Sequence, residues 1–323
     1  MDSHMKIYVG VDVGKFNLDV YYLNKHFQIT NDSTGIASLL EDFKNNIPTS
    51  DNIVVICEAT GGYEQLLIKT LLKHAISFHI AHPNKVRAFA KTQGILAKTD
   101  RIDAIILRDY GELIHPQPSK NLLSESANTI RSLIKRRDQL LDDQRREQAR
   151  LDKLTLPDVK NSVQSHITWI TQEINNINAK IEKASMEDTI KQQVELLTSV
   201  PSVGNFTALM LISYLPELGN ANGAQISALV GVAPFNKDSG RYKGKRFIQG
   251  GRSMIRKSLY MSAVSSIRWN PDMKSFYTRL RKSGKPAKVA LVAVMRKLLI
   301  LLNNIIKRQT PWEINNPKKL FMA

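Results

Sequence analysis

Asp100 and Asp103 stand three residues apart in the run Ala97-Lys98-Thr99-Asp100-Arg101-Ile102-Asp103-Ala104. Thr99 is placed to cap a helix that starts there by accepting a backbone N–H bond. Residues at i and i+3 share a helical face, so the two carboxylates point the same way. Parallel carboxylates repel unless a cation lies between them. Hard oxygen donors of this kind suit Mg²⁺ or Mn²⁺. Acidic residues in a first turn also complement the helix dipole, so this pair alone leaves both readings open.

Two further carboxylates need elements to carry them. Residues 6–15, Lys-Ile-Tyr-Val-Gly-Val-Asp-Val-Gly-Lys, read as a strand rich in β-branched residues. Asp12 interrupts it, and a carboxylate inside a buried strand is costly unless it is paired or metal-bound. Residues 17–23 and 26–30 read as the next strands, close enough in sequence to pair antiparallel. Residues 34–43 read as a helix, and 52–57 as a buried strand. That strand ends in Glu58-Ala-Thr-Gly-Gly-Tyr63, so Glu58 sits at a strand's carboxyl end, where open α/β sheets place their chemistry. A helix over 66–73, a strand over 76–80 and a helix over 83–91 follow, giving a mixed sheet with helices on its faces. Asp12, Glu58, Asp100 and Asp103 thus have the layout of a ribonuclease-H-like nuclease site. In such a site two metals about 3.5–4 Å apart activate the attacking oxygen and stabilise the leaving one. Asp-x-Gly-Lys also opens actin-like sugar kinases, but the second phosphate motif and adenosine-binding glycine cluster of that fold are not found here.

The chain has 323 residues, enough for two domains, and a single cysteine, Cys57. No disulfide framework is possible, which fits a reducing cytoplasm. No secretory signal is visible and no apolar run reads as a membrane span; the interruption by Arg296 and Lys297 argues against one over 289–306. Residues 1–5 read as a cloning remnant, with the natural start at Met5. The net charge of +17 is unevenly placed: residues 1–125 sum to −1, 126–190 to +1 and 191–323 to +17. A one-sided basic domain beside a neutral one implies a polyanionic partner, nucleic acid rather than a membrane.

Residues 122–190 are glycine-free and charged with both signs. Ile130, Leu133, Ile134, Leu140 and Leu141 mark an apolar stripe, Pro157 breaks the helix, and Ile167, Ile170, Ile174, Ile177 and Ile181 recur at 3-4 spacing. That seam fits a coiled coil between chains or a helix hairpin packed on itself. Farther on, Pro201-Ser-Val-Gly204 between two helices resembles a helix–hairpin–helix, whose backbone N–H groups hold a DNA phosphate, though a plain helical turn also fits. From Ser239 through Pro271 there is no acidic residue, while Arg241, Lys243, Lys245, Arg246, Arg252, Arg256 and Lys257 crowd the stretch. Ser239 before Gly240 suits a nucleophile that attacks a phosphodiester, its hydroxyl pKa lowered by the cations. A basic turn that only grips phosphates fits the residues better by themselves. Residues 259–267 and 289–306 read as apolar helices, and the chain after Pro311 as a loose tail.

The order VDVGK, then CEATGGYE, then KTDRIDA, with Ser239-Gly240 upstream of Arg256-Lys-Ser-Leu-Tyr-Met, resembles the DEDD transposases of insertion sequences and the related Piv DNA invertases. The resemblance implies a RuvC-like domain over 6–121, a helical segment over 122–190, a mainly α transposase domain over 191–312 and a tail over 313–323. It implies that Asp12, Glu58, Asp100 and Asp103 hold Mg²⁺ (or Mn²⁺) and that Ser239 is the nucleophile. It also implies DNA ends and target as substrates, a structured bridge RNA as guide, a homo-dimer or homo-tetramer, and a bacterial cytoplasmic enzyme that joins the nucleoid when active. Two rivals remain from the residues: a RuvC-like junction-resolving nuclease that uses no covalent intermediate, and a non-catalytic DNA-binding protein.

Overall fold

The computed structural model describes residues 6–47, 52–119, 123–236, 238–239, 242–244 and 246–312. The chain divides into two units, Met1–Lys120 and Asn121–Ala323. In the first, β1 (Ile7–Val13), β2 (Asn17–Tyr22) and β3 (Lys25–Thr30) form an antiparallel meander. Helix α1 (Ser33–Asn46) leads to β4 (Ile53–Glu58), α2 (Gln65–Lys73), β5 (Ser77–Ala81), α3 (Pro83–Thr92) and α4 (Asp100–Ile114). The sheet order is β3-β2-β1-β4-β5, with β1–β4 and β4–β5 parallel. This is the expected mixed sheet, with β1 at its centre.

Strand alternation sorts the side chains. Val9, Val11 and Val13 of β1, with Ile53, Val55 and Cys57 of β4, face a core closed by Ile36, Leu39 and Phe43 of α1 and Leu67, Ile68 and Leu71 of α2. Tyr8 of β1 and Val54 and Ile56 of β4 face the other way, against Val86 of α3 and Ile106, Leu107 and Tyr110 of α4. Asp12 and Glu58 continue this second series, each one residue past the Val11–Cys57 pair. Two glycines let α4 lie close on the sheet. A Cβ at Gly10 would stand 1.9 Å from the Ala104 carbonyl oxygen and 2.6 Å from the Arg108 nitrogen. One at Gly111 would stand 2.6 Å from the Tyr8 ring and 2.8 Å from an Ile56 side-chain carbon.

The second unit opens with α5 (Glu125–Leu151), capped by Ser124, whose hydroxyl accepts from the Ala127 N–H at 3.1 Å. Pro157 ends no helix internally; it is the first residue of α6 (Pro157–Ser185), where its missing N–H costs nothing. The isoleucine seam is settled within one chain. Ile170, Ile174, Ile177 and Ile181 share a core with Ile130, Ile134 and Leu140 of α5, and Gln144 donates to Thr171 at 2.8 Å across the hairpin. The same core runs on through α7 (Asp188–Thr198), α8 (Asn205–Tyr214), α9 (Gly223–Val230), α10 (Ser253–Trp269), α11 (Pro271–Lys282) and α12 (Ala287–Arg308). A two-stranded ribbon, β6 (Asp238–Ser239) and β7 (Tyr242–Lys243), stands between α9 and α10.

Contrary to the sequence expectation, α12 is long and apolar enough, by length and composition, to cross a membrane. Its apolar residues serve a core instead: Leu298, Leu299, Leu301 and Leu302 are fully buried. Asn303 is buried too and satisfied, accepting from the Gly219 N–H at 2.8 Å and donating to the Ala221 carbonyl at 2.9 Å. The remnant over 1–5 and the tail over 313–323 lie outside the described residues.

Gly10→Ala is expected to destabilise the first unit by about 2–3 kcal/mol or more, because backbone rather than a flexible side chain blocks the added methyl. The midpoint of chemical unfolding measures this; an unchanged midpoint would mean that α4 does not rest on β1 at this point.

Candidate active site

Asp12 lies near the end of β1 and Glu58 at the end of β4, on the sheet face that α4 covers. Thr99 caps α4 as its sequence suggests, its hydroxyl accepting from the Ile102 N–H at 3.2 Å. Asp100 and Asp103 therefore occupy the first turn. The four carboxylates feel one another. Burial pushes the Asp12 carboxyl up to about 6, aided by Asp103, Asp100, Asp19 and Glu58. Burial also raises Glu58, with Asp103 adding to it, while Arg87, Lys98 and His82 oppose the rise. Asp103 is raised by burial and by Asp100, against Lys98 and Arg87. Among the described residues no three such side chains close on a point where one ion would be held. Even so, the donor chemistry fits a divalent cation: four hard oxygen ligands whose mutual repulsion such an ion would relieve.

Several groups that sequence reading did not single out hold this site in place. Asn31 donates to the Gly14 carbonyl at 2.9 Å and to the Tyr63 carbonyl at 3.0 Å, tying the turn after Asp12 to the loop after Glu58. Glu64 is buried beneath that loop and accepts from the Thr60 N–H (3.1 Å), the Thr60 hydroxyl (2.8 Å) and the Gly62 N–H (3.0 Å). Burial alone would raise Glu64, but these bonds outweigh it and hold the carboxyl below its ordinary value. Asp19, opposite Asp12 on β2, accepts from His26 and Gln28 at 2.9 Å each, which keeps a nearby buried carboxylate satisfied. Arg87 and Lys98 place positive charge beside Glu58 and Asp103, and His82 stands near Glu58. Their only sequence signal was basic charge close to the acidic motif.

The carboxylates belong to the first unit and Ser239 to the second. Ser239 ends β6, pairs with Tyr242 of β7 and is exposed. An isolated bridge between Phe235 and Phe247 closes the base of this ribbon, with the Phe235 N–H donating to the Phe247 carbonyl at 3.0 Å. The basic residues of the stretch divide by role. Arg246 and Lys257 are exposed. Arg241 and Lys245 lie outside the described residues, as does the side chain of Lys243. Arg252 and Arg256, expected to contact nucleic acid, are engaged within the protein. Arg252 forms a bidentate pair with Glu217 at 2.5 and 2.7 Å. Burial would raise Glu217, but Arg252's hydrogen bonds and charge hold it below its ordinary value. Arg256 donates to the carbonyls of Val230 and Gly250, where α9, Gly231 and Gly251 meet at backbone distance. Both arginines thus fix the foot of the serine ribbon. Between α7 and α8, Gly204 is the N-cap residue and Phe206 is exposed under the Arg137 guanidinium, 4.6 Å from its ring centre.

A family model for the DEDD transposase domain of IS110, described as a transposase, matches residues 9–157, which contain all four carboxylates. A second, described as the transposase IS116/IS110/IS902 family, matches residues 194–278, which contain Ser239. The chain is 26% identical over 317 residues to the pilin gene-inverting protein of Moraxella lacunata, covering 95% of this chain and 98% of that one. It is 25% identical over 171 residues to the IS110 uncharacterized 43.6 kDa protein of Streptomyces coelicolor, covering 52% of this chain and 42% of that one. It is 30% identical over 137 residues to the IS900 uncharacterized 42 kDa protein of Mycobacterium paratuberculosis, covering 40% and 33%. The chain belongs to the IS110-type family of DEDD transposases and is an enzyme of DNA transposition or recombination. Domains of the DEDD type are typically dependent on a divalent metal.

Asp12→Asn is expected to stabilise the protein in the presence of a chelator. The folded-state pKa of Asp12 lies above the ordinary value of 3.8, at about 6. Its ionised form therefore opposes folding, and wild-type stability falls as pH rises through that window and stays lower above it. After allowing for solvent screening, the variant gains about 1–2 kcal/mol at neutral pH. Mg²⁺ should raise the wild-type melting temperature and leave the variant's nearly unmoved; equal responses to Mg²⁺ would remove Asp12 from the cation site. Arg252→Gln is expected to lower the melting temperature while leaving the salt dependence of DNA binding as in wild type. A shallower salt dependence would place Arg252 on a phosphate instead.

Proposed function

We propose that this enzyme cuts and rejoins DNA through a covalent link to Ser239. The observation that carries this reading is the placing of Asp12 and Glu58 on neighbouring strand ends beneath α4, whose first turn holds Asp100 and Asp103, in a chain that also exposes Ser239 on a basic ribbon. A divalent cation, Mg²⁺ or Mn²⁺, held by the four carboxylates supplies charge stabilisation to the attacked phosphate and its leaving oxygen when bound. The Ser239 oxygen attacks a backbone phosphorus, giving up its proton to solvent. The bond from phosphorus to the leaving sugar oxygen breaks, and that oxygen takes up a proton. The serine phosphodiester keeps the energy of the broken bond, so a sugar hydroxyl of another strand can displace Ser239 and reseal the DNA without hydrolysis. Arg246 and Lys257, with Arg241, Lys243 and Lys245, supply cations for the phosphates.

The family resemblance supplies the rest of the reading: a homo-dimer or homo-tetramer in which the carboxylates of one protomer serve the serine of another, guided by a structured bridge RNA. The kinship to a pilin gene-inverting protein makes inversion of a DNA segment an alternative outcome to transposition, with the same chemistry. A second reading rests on the carboxylates alone: a junction-resolving nuclease in which water, rather than Ser239, attacks the phosphate.

Covalent trapping separates the two. Protein is incubated with element-end DNA, cognate RNA and Mg²⁺, then denatured and examined for a protein–DNA adduct. The adduct should form in wild type and vanish in Ser239→Ala and Asp12→Ala. Free cleaved ends without adduct, unchanged in Ser239→Ala and absent in Asp12→Ala, would establish the nuclease and overturn the recombinase reading.

A further inference from the structure

The basic charge of the second unit is not confined to the serine ribbon. Residues 268–288 carry seven cations, Arg268, Lys274, Arg279, Arg281, Lys282, Lys285 and Lys288, against one acid, Asp272. All seven are exposed. Within the described residues none of them forms an ion pair. The contrast with α5 is instructive. There Arg145, Arg146 and Arg150 are each matched by an acid three residues before, Asp142, Asp143 and Glu147. That is the ordinary condition of a solvated helix face.

Four of the seven cations fall on the elbow between α11 and α12. The elbow is built, not slack. The Lys285 N–H donates to the Leu280 carbonyl at 3.1 Å and the Gly284 N–H to the Arg281 carbonyl at 3.0 Å, with Gly284 in the left-handed region at φ +82°. Arg281 itself donates to the Lys285 carbonyl at 2.7 Å. Met273 on one side and Ala290 on the other are fully buried, which anchors both helices to the core. The dipole of α11 accounts for Arg279, Arg281 and Lys282 in its last turn. It does not account for Lys285, which lies beyond that helix, or for Lys288, which sits in the first turn of α12 where no acid offsets it. Lys288 stands at the positive end of α12, and the cations clustered beside it raise one another's energy until an anion arrives.

We infer that the α11–α12 elbow, through Arg281, Lys282, Lys285 and Lys288, is a docking surface for the phosphodiester backbone of DNA, the polyanion that the transposase matches imply, separate from the serine ribbon. Val289 is the one large apolar side chain exposed on residues 281–289, so the elbow offers a membrane little to bury. The inference deepens the proposed function by giving the polyanion a second hold, and it does not depend on the serine chemistry.

The test is equilibrium binding of the full chain across a salt series, comparing wild type, Ser239→Ala and the triple variant Lys282→Gln/Lys285→Gln/Lys288→Gln. The probes are a short DNA duplex of arbitrary sequence, an RNA hairpin, and phosphatidylserine vesicles. The triple variant should bind more weakly, with the slope of log affinity against log salt shallower by about 2 to 3. Its melting temperature should be that of wild type. Loss on DNA, with or without a matching loss on RNA, supports the surface; loss on RNA alone overturns it. An unchanged slope on both nucleic acids, or a loss seen only with vesicles, overturns it. The two readings fail separately. A shallower slope in a protein that forms no covalent adduct would sink the recombinase reading and keep the elbow. An unchanged slope in a protein that does form the adduct would do the reverse.

Discussion

The close approach of α4 to β1 across Gly10 is the contact on which the carboxylate site depends. Backbone meets backbone there, with no side chain to adjust the gap. The consequence is geometric. Asp12 is two residues along the strand from Gly10, and Asp103 directly precedes Ala104, whose carbonyl oxygen touches Gly10. A helix held one side chain farther off would leave Asp12 facing solvent and would weaken both the burial and the repulsion that raise its pKa. Gly111 repeats the device at the other end of the helix, so α4 is seated at two points and cannot pivot about one. The loops at the strand ends are then fastened to each other by Asn31 and from below by Glu64. The acids therefore converge because the backbone around them has few alternatives.

The two units divide the electrostatic work. The first gathers negative charge at one spot in a domain that is nearly neutral overall. The second carries the whole positive excess of the chain. Within the second unit, position decides what a cation does. On α5 Arg145, Arg146 and Arg150 are neutralised locally by acids three residues before them. At Arg252 and Arg256 guanidiniums are drawn inward, to Glu217 and to backbone carbonyls, and act as braces for the ribbon that carries Ser239. A count of basic residues treats these arginines alike, although only the exposed and unmatched ones are available to a polyanion.

Much of the site could be read from the chain in order. A β-branched run and a continuous apolar run place Asp12 and Glu58 on strands, and Thr99 before Asp100 marks the helix start, because these signals are local. What stayed hidden was set by contacts between residues far apart in sequence. Asn31 reaches Gly14 and Tyr63, and Glu217 reaches Arg252, and neither partner announces the other. The isoleucine run on α6 is a similar case. Its 3-4 spacing marks an apolar stripe but says nothing about whose surface covers it, and here α5 of the same chain does. Arg252 and Arg256 stand in a stretch without acids, and nothing in that stretch signals the bonds they make within the protein, to Glu217 and to the Val230 and Gly250 carbonyls. Arg296 and Lys297 interrupt α12 in the sequence, yet its length and apolar character are those of a helix that could cross a membrane.

Helix α12 has a consequence for how the protein is made. It is the last of the helices that complete the second unit's core, and its leucines pack among residues of α5 through α10 that leave the ribosome earlier. The first unit, with cores of its own, can fold while synthesis continues. The second cannot close until α12 emerges, and until then α7 to α10 present an open apolar trough. When α12 does emerge, it carries the length and apolar composition of a membrane segment. Burial of its leucines in that trough takes this apolar face out of water, so the order of synthesis leaves the second unit as the last to complete its core.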